Sequence, residues 1–453
     1  MDRRKFLKLL NLAIAAALPG ACGQGSPSSV STIVIGAGLA GLAAAQTLRQ
    51  RGHGVMILEG RDRVGGRVWT SHQWPHLPLD LGASWIHGTE GNPLTALADQ
   101  IKAQRLTTSY DRSVVYNTSG QPLSDAEGER LEAQTQALLE RLEQAKNRDR
   151  DVSIQQALSP FLESLDPASE AYRWAHFILN EGIEQEYGGS INRLSTHWYD
   201  SDRAFGGSED LLAQGLGAIA TSLTEGLRID LGQVVQEIHW QSRPVRVVTQ
   251  TDEFRADRVV VTLPLGVLKA NRVRFVPALP SPKQQAIATL GMGVLNKCYL
   301  QFPEAFWPPA VDWLGYIPER LGEWTTWVSF QRTARQPVLL GFNAADQGRA
   351  LEARSDQQIV ASALDTLRIL YGARIPEPTA YQITRWAGDP FSLGSYSYNA
   401  VGSTPQMRRD LAAPLGNTLF FAGEATTADH FGTAHGAYLS GLRAAKEIIE
   451  TLS

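Results

Sequence analysis

The stretch Ile33-Val34-Ile35-Gly36-Ala37-Gly38-Leu39-Ala40-Gly41 constrains this chain more than any other. A continuous branched apolar run over 32–35 predicts a buried β-strand, and 39–51 predicts a helix directly after the glycines. The next strand, 55–58, ends at Glu59, which stands 23 residues beyond Gly36 (59 − 36). In such a βαβ unit the first glycine allows the tight turn and the second lets backbone approach a pyrophosphate. The third lets helix and strand pack closely. The pyrophosphate then sits on the positive end of the helix, and a carboxylate such as Glu59 can bind both hydroxyls of a ribose. The pattern predicts a dinucleotide site on a parallel α/β sheet.

Two further stretches bear on which dinucleotide. Arg63-Val64-Gly65-Gly66-Arg67 follows the acid at once. Its glycines let a loop pass close to the cofactor, and Arg67 is placed to pair with a phosphate. Near the other end, Leu419-Phe420-Phe421-Ala422-Gly423-Glu424 predicts a strand over 418–422, followed by a Gly-rich start to a helix over 436–452. That second N-terminus can face a pyrophosphate and ribityl chain. An NAD domain has no use for it, so the pair predicts FAD.

At 453 residues the chain is long for one core, and two domains are the natural expectation. Its 43% hydrophobic and 19% charged residues are those of an ordinary globular protein, and a net charge of −4 offers no basic face for nucleic acid. Two cysteines, Cys22 and Cys298, exclude a disulfide framework and are too few for an iron–sulfur or multi-thiolate zinc site. No metal is therefore expected.

Residues 1–25 read as an export segment. Arg3-Arg4-Lys5-Phe6-Leu7-Lys8 precedes a short apolar run at 9–18 and then Pro19-Gly20-Ala21-Cys22. The Arg-Arg-x-Phe-Leu-Lys pattern resembles the twin-arginine type, whose export machinery carries folded, cofactor-loaded proteins. This predicts an extracytoplasmic protein, periplasmic or equivalent. Cys22 is a candidate lipid-attachment site, although Pro19-Gly20-Ala21 is a poor lipobox.

Between the two cofactor stretches, helical periodicity at 94–104, 124–148, 154–165 and 168–182 gives way to strands at 234–241, 245–251 and 258–263. Helices at 281–290 and 356–370 then mix with aromatic-rich strands. The alternation predicts an FAD-binding domain of 30–91, 215–275 and 386–453. A substrate-binding domain of 92–214 and 276–385 would lie between.

The stretches 58–69, 80–93, 259–302, 385–402 and 419–442 together resemble the flavin-dependent amine oxidase family. Its members include polyamine oxidases, monoamine oxidases, flavin-type histone lysine demethylases and L-amino-acid oxidases. The resemblance covers nearly the whole chain after the export segment. It implies an α/β fold: a discontinuous, glutathione-reductase-like Rossmann-type FAD-binding domain with a second, α+β substrate-binding domain. It implies FAD contacts from Gly36, Gly38, Gly41, Glu59, Arg61, Gly66, Arg67, Ser84, Trp85, Trp386, Glu424, Thr433 and Ala434, with Val235 beside the adenine.

The reacting end is read the same way. Lys297, in Gly291-Met292-Gly293-Val294-Leu295-Asn296-Lys297, resembles the family lysine that holds a water against flavin N5. Tyr396, in Gly394-Ser395-Tyr396-Ser397-Tyr398, matches the aromatic beside the flavin face. In monoamine oxidases a cysteine before that tyrosine bonds to the flavin; here it is Ser395, which implies non-covalent FAD. The second aromatic of their cage falls on Thr433, leaving a one-sided wall similar to animal-type polyamine oxidases and lysine demethylases. His87, in Gly82-Ala83-Ser84-Trp85-Ile86-His87-Gly88, matches a polyamine-oxidase residue near the substrate nitrogen. Lys297, Tyr396 and His87 are the catalytic candidates.

Amino-acid oxidases clamp a carboxylate with an arginine in this region, and none stands between Arg67 and Arg105. Glu184, Glu186, Asp200 and Asp202, with Trp198 and Tyr199 to pack methylenes, predict an acidic track for a diamine. The expectation is an exported FAD enzyme that takes hydride from a C–N carbon of a polyamine and passes the electrons to O2. Three alternatives stay open. One is an L-amino-acid oxidase anchored by Arg193 or Arg203, another a related FAD desaturase or porphyrinogen oxidase. The third is a flavin-stabilised binding protein without turnover.

Overall fold

The computed structural model describes residues 31–452, so the export segment and Cys22 lie outside the described residues. Five strands form a parallel sheet in the spatial order Leu419–Phe421, Arg258–Val261, Thr32–Ile35, Val55–Leu58 and Arg228–Asp230. Each is short, and all but the edge strand Arg228–Asp230 are mostly apolar because helices or a second sheet cover both faces. Val34 pairs with Val260 on one side and Ile57 on the other, and all three are fully buried. Strands from the start, middle and end of the chain thus make one sheet, as the two cofactor stretches require.

The helix Leu39–Gln50 covers one face and packs on the terminal helix Ala434–Glu450. The pair approaches closely because small residues face each other: a Cβ at Gly441 would lie 2.1 Å from the Ala40 carbonyl. On the other face lies a four-stranded sheet, in order Glu253–Ala256, Val245–Thr249, Val235–His239 and Arg274–Val276. Ile33, Ile35 and Leu58 meet Val235, Ile238 and Val247 in that interface.

A six-stranded sheet holds the substrate side, in order Ala380–Ile383, Leu295–Gln301, Val338–Ala344, Thr326–Ser329, Trp313–Tyr316 and Ser113–Tyr116. It is antiparallel except for its last, parallel pair. The helix Asp356–Tyr371 packs on it through Ile359, Ala363 and Leu367, over Trp324 and Trp327. The helices Asp125–Lys146, Ile154–Leu162 and Glu170–Leu179 share another core; serines 124, 153 and 169 cap them by accepting backbone N–H bonds.

Two details differ from the sequence reading. The helix expected over 168–182 is Glu170–Leu179 followed by one π-turn, Asn180–Glu184. A three-stranded sheet of Trp85–His87, Glu209–Leu212 and Arg105–Thr108 also crosses the expected boundary at residue 91. Loop 80–84 is consequently tied into both halves.

Candidate active site

One cavity of about 810 Å³ runs between the parallel sheet and the six-stranded sheet. Its cofactor edge is built by the Gly-rich turn. Gly36 has φ +102°, and a side chain there would strike Thr262 Oγ1 at 2.6 Å. Gly38 caps the first helix in extended backbone with no side-chain cap, so the first N–H groups remain free for an anion. Glu59, 6% exposed, lines the cavity and accepts from Ala37 N (2.7 Å) and Arg61 N (2.8 Å). Arg61 is held by Asp389 through two hydrogen bonds of 2.9 and 2.6 Å. Gly66, Val235, Trp386 and Ala434 complete that wall. The side-chain-free turn, the open helix terminus and the fixed carboxylate fit the pyrophosphate and ribose of FAD.

Gly41 does not line the cavity. A Cβ there would lie 1.9 Å from the Gly36 carbonyl, so this glycine serves helix–strand packing. Arg67 lines the cavity, and part of its guanidinium is engaged within the protein. Its guanidinium donates to Glu424 Oε1 (2.7 Å) and to the Ser395 carbonyl (2.9 Å). Glu424 is fully enclosed and also accepts from Ser397 Oγ (2.6 Å) and Gly432 N (3.0 Å). Burial alone would raise its pKa, but Arg67 and Ser397 outweigh that and hold it below the usual range. Behind it Arg408, with no exposed surface, donates to Ser397 Oγ (2.8 Å) and Asn399 Oδ1 (2.9 Å). The two cofactor stretches are thus locked to each other by a partly buried ion pair.

At the reacting end, Lys297 rises from the strand Leu295–Gln301, only 4% exposed. Its ammonium donates to the carbonyls of Asp80 (2.8 Å) and Gly82 (2.6 Å) and to Ser84 Oγ (2.5 Å). Burial lowers its pKa, and the nearby Asp80 charge opposes the fall. The neighbouring Trp85 is pinned by its indole N–H to Thr108 Oγ1 at 3.1 Å. Tyr396 donates its hydroxyl to the Gln185 carbonyl (2.5 Å), and burial raises its pKa well beyond the physiological range. Ser395 forms a side-chain pair with Leu295, accepting from its N (2.9 Å) and donating to its O (3.1 Å). Thr433 lines the wall near Tyr396 while capping the terminal helix through Gly436 N (2.9 Å).

His87 opens onto the cavity with 57% of its side chain accessible, and its Nδ1 lies 2.7 Å from Glu209 Oε2. Burial disfavours the imidazolium, but the hydrogen bond and charge of Glu209 outweigh it, and the pKa is raised. Glu181 and Glu186 line the same end, with burial pushing the Glu181 carboxyl up to about 7. Facing them is a ladder of stacked rings. Tyr110 lies on Trp313 with centroids 4.7 Å apart, and Trp313 on Trp85 at 5.6 Å.

The expected acidic track is redrawn. Glu186 lines the cavity, whereas Glu184, Trp198, Asp200 and Asp202 do not. Glu184 accepts from Asn180 Nδ2 (2.8 Å) and Ile191 N (3.0 Å). It lies two residues from Glu186 on a helical turn, and residues two apart do not share a face. Asp200 is occupied by Lys146 at 2.5 Å, while the Trp198 carbonyl receives Asn399 Nδ2 (2.8 Å). Asp202 is half-buried; burial first, then Glu186 and Asp200, raise its pKa. Sequence reasoning missed Glu181, Glu209, Tyr110 and Trp313. Pairing of Trp85–His87 with Glu209–Leu212 is what delivers Glu209 to His87, and no local pattern announces it.

Comparison with known proteins places this geometry. The family model described as flavin containing amine oxidoreductase matches residues 39–449. The chain is 36% identical over 443 residues to polyamine oxidase 4 of Oryza sativa subsp. japonica, covering 93% of this chain and 88% of that protein. It is 35% identical over 435 residues to polyamine oxidase 2 of Arabidopsis thaliana, covering 92% and 88%. It is also 35% identical over 437 residues to lysine-specific histone demethylase 1 homolog 2 of Arabidopsis thaliana, but spans only 58% of that longer protein. The fold is similar to that of cyclohexylamine oxidase from Brevibacterium oxydans IH-35A, with TM-score 0.77, 21% identity and coverage of 93% and 99%. The chain belongs to the flavin containing amine oxidoreductase family and is an FAD-dependent amine oxidase.

Proposed function

We propose that the enzyme oxidises a C–N bond of polyamines of the spermidine or spermine type, giving an aldehyde, an amine and H2O2. The observation that carries this reading is the pairing of an acid wall with an aromatic wall. Glu181 and Glu186 attract the ammonium groups, with Glu209 bonded behind His87, while Tyr110, Trp313 and Trp85 pack the methylenes and favour cations over their faces. When bound, FAD supplies the two-electron acceptor. His87 and Glu209 orient the reacting nitrogen, Tyr396 bounds its carbon, and Lys297 holds or releases a proton at Nζ.

The amino-acid oxidase reading finds less support. Among the described residues the arginines lining the cavity are Arg61, Arg67 and Arg272. The first two face their carboxylate partners, and Arg272 neighbours Val273 near Val235. Neither Arg193 nor Arg203 lines it. A steady-state panel of putrescine, spermidine, spermine, acetylated polyamines and basic amino acids, with peroxide detection, tests the assignment. Highest kcat/KM on a polyamine is expected, and highest kcat/KM on a basic amino acid overturns it. The twin-arginine pattern supports export of the folded holoenzyme. Cell fractionation that leaves all of it in the cytoplasm would reject that part.

A further inference from the structure

The carbonyls of Asp80, Leu81 and Gly82 each accept a side-chain donor. Leu81 O accepts from Trp386 Nε1 (3.1 Å), while Asp80 O and Gly82 O accept from Lys297. Asp80 O also receives the Tyr299 hydroxyl (2.8 Å). The loop cannot drift, because a Cβ at Gly82 would lie 1.7 Å from the Arg67 carbonyl and Ala83 N is bonded there at 3.1 Å.

An ammonium has three donors, and the wall takes all three of Lys297's. A neutral amine has two donors and a lone pair. It keeps both carbonyls and accepts from the Ser84 hydroxyl, whose other acceptors, Asp80 O and Gly82 O, lie at a long 3.3 Å. Both protonation states are therefore hydrogen-bonded, and only one hydroxyl rotates between them.

Asp80 carries the charge that bears on this choice. Its carboxylate is 6% exposed and accepts from Thr70 Oγ1 (2.5 Å) and, on both oxygens, from Leu216 N (3.0 Å). Neutral donors hold it, and among the described residues it makes no ion pair within 4.0 Å. An asparagine would meet much of that hydrogen bonding, so the negative charge calls for another role. The groups facing Lys297 are Asp80 and Ser84 from the loop, Tyr299 from its own strand, the Trp85 ring at 5.8 Å, and His87 through its charge.

We propose that Asp80 is a positioning residue for Lys297: its carbonyl fixes the amine, its carboxylate keeps a proton available there, and Ser84 exchanges donor and acceptor roles as that proton comes and goes. Removing the charge leaves burial unopposed and makes Lys297 a weaker base. The inference rests on the flavin-loaded cavity and not on the choice of polyamine.

The test titrates the flavin absorbance of purified holoenzyme from pH 5 to 10 without substrate, beside the pH profile of kcat. A transition that disappears in Lys297→Met but persists in His87→Gln is expected. Asp80→Asn should move its midpoint down by about one pH unit, a tenfold change in proton affinity, and Asp80→Glu should restore it. In Lys297→Met the Asp80 carboxyl, which burial pushes up to about 6, still titrates, and Asp80→Asn should remove that step alone. An unmoved midpoint in FAD-loaded Asp80→Asn, or absence of any Lys297-dependent transition, overturns the proposal. Should Asp80→Asn fail to fold, Ser84→Ala decides. It leaves the ammonium one acceptor short and the neutral amine one donor short; the charge-assisted bond is the larger loss, so the midpoint must also fall, and an unchanged value is fatal.

Discussion

Glu181 shows how a single cavity-facing carboxylate ties binding to pH. Its side chain is accessible from the cavity, whose enclosing walls push its pKa up to about 7, so it gains charge as the pH rises through neutrality and loses it below. Attraction for a polycation should follow, and KM should fall between about pH 6 and 8. Glu181→Gln is expected to raise KM at pH 8 about tenfold, the size of one charged hydrogen bond of about 1.5 kcal/mol. It should also flatten that limb of the KM profile while leaving kcat within a few-fold. A KM unchanged at pH 8 would remove Glu181 from the binding wall. None of this was legible from residue type alone. Glu181, Glu184 and Glu186 look alike in sequence, and only their placement on one turn separates two cavity residues from one that braces Asn180 and Ile191.

At the scale of elements, local patterns were informative wherever the physics is local. The Gly-rich turn, the strand before it and the acid after it sit within one βαβ unit, and the structure builds them in that order. Helical periodicity likewise marked the helices beginning at Asp125, Ile154 and Glu170, which the structure caps with serines. Reading failed where function depends on pairing across the chain, as between His87 and Glu209, or on a carbonyl such as that of Asp80. Gly41 offers a test of an element contact made by a residue outside the cavity lining. Gly41→Ala drives a methyl against the Gly36 carbonyl, 1.9 Å from the ideal Cβ, and should cost about 1–3 kcal/mol. Denaturant unfolding of the apoprotein measures the loss, and FAD affinity should weaken with it because the same shift displaces Gly36. Full stability in that variant would show that helix and strand are less tightly opposed than described.

For the whole molecule, the cofactor is a removable part of the fold. No cysteine lines the cavity among the described residues, and Ser395 is occupied by Leu295. Acid precipitation should therefore leave a yellow supernatant and a colourless pellet. A pellet that retains flavin absorbance would contradict non-covalent binding. Free FAD at a hundred times its Kd should stabilise the protein by about 2.7 kcal/mol. Acid should weaken the closure of the two chain ends. The Glu424 pKa is depressed, so its contribution is present above pH 4.5 and is lost as the pH falls below that value. The parallel sheet also sets an order of events during synthesis. Arg258–Val261 waits for Leu419–Phe421 as its outer neighbour, and the first helix waits for the last one. A nascent chain stalled before residue 418 has already displayed its glycine turn yet cannot shut the pocket behind it. Flavin capture therefore depends on the segment 419–450 having joined the sheet and the first helix.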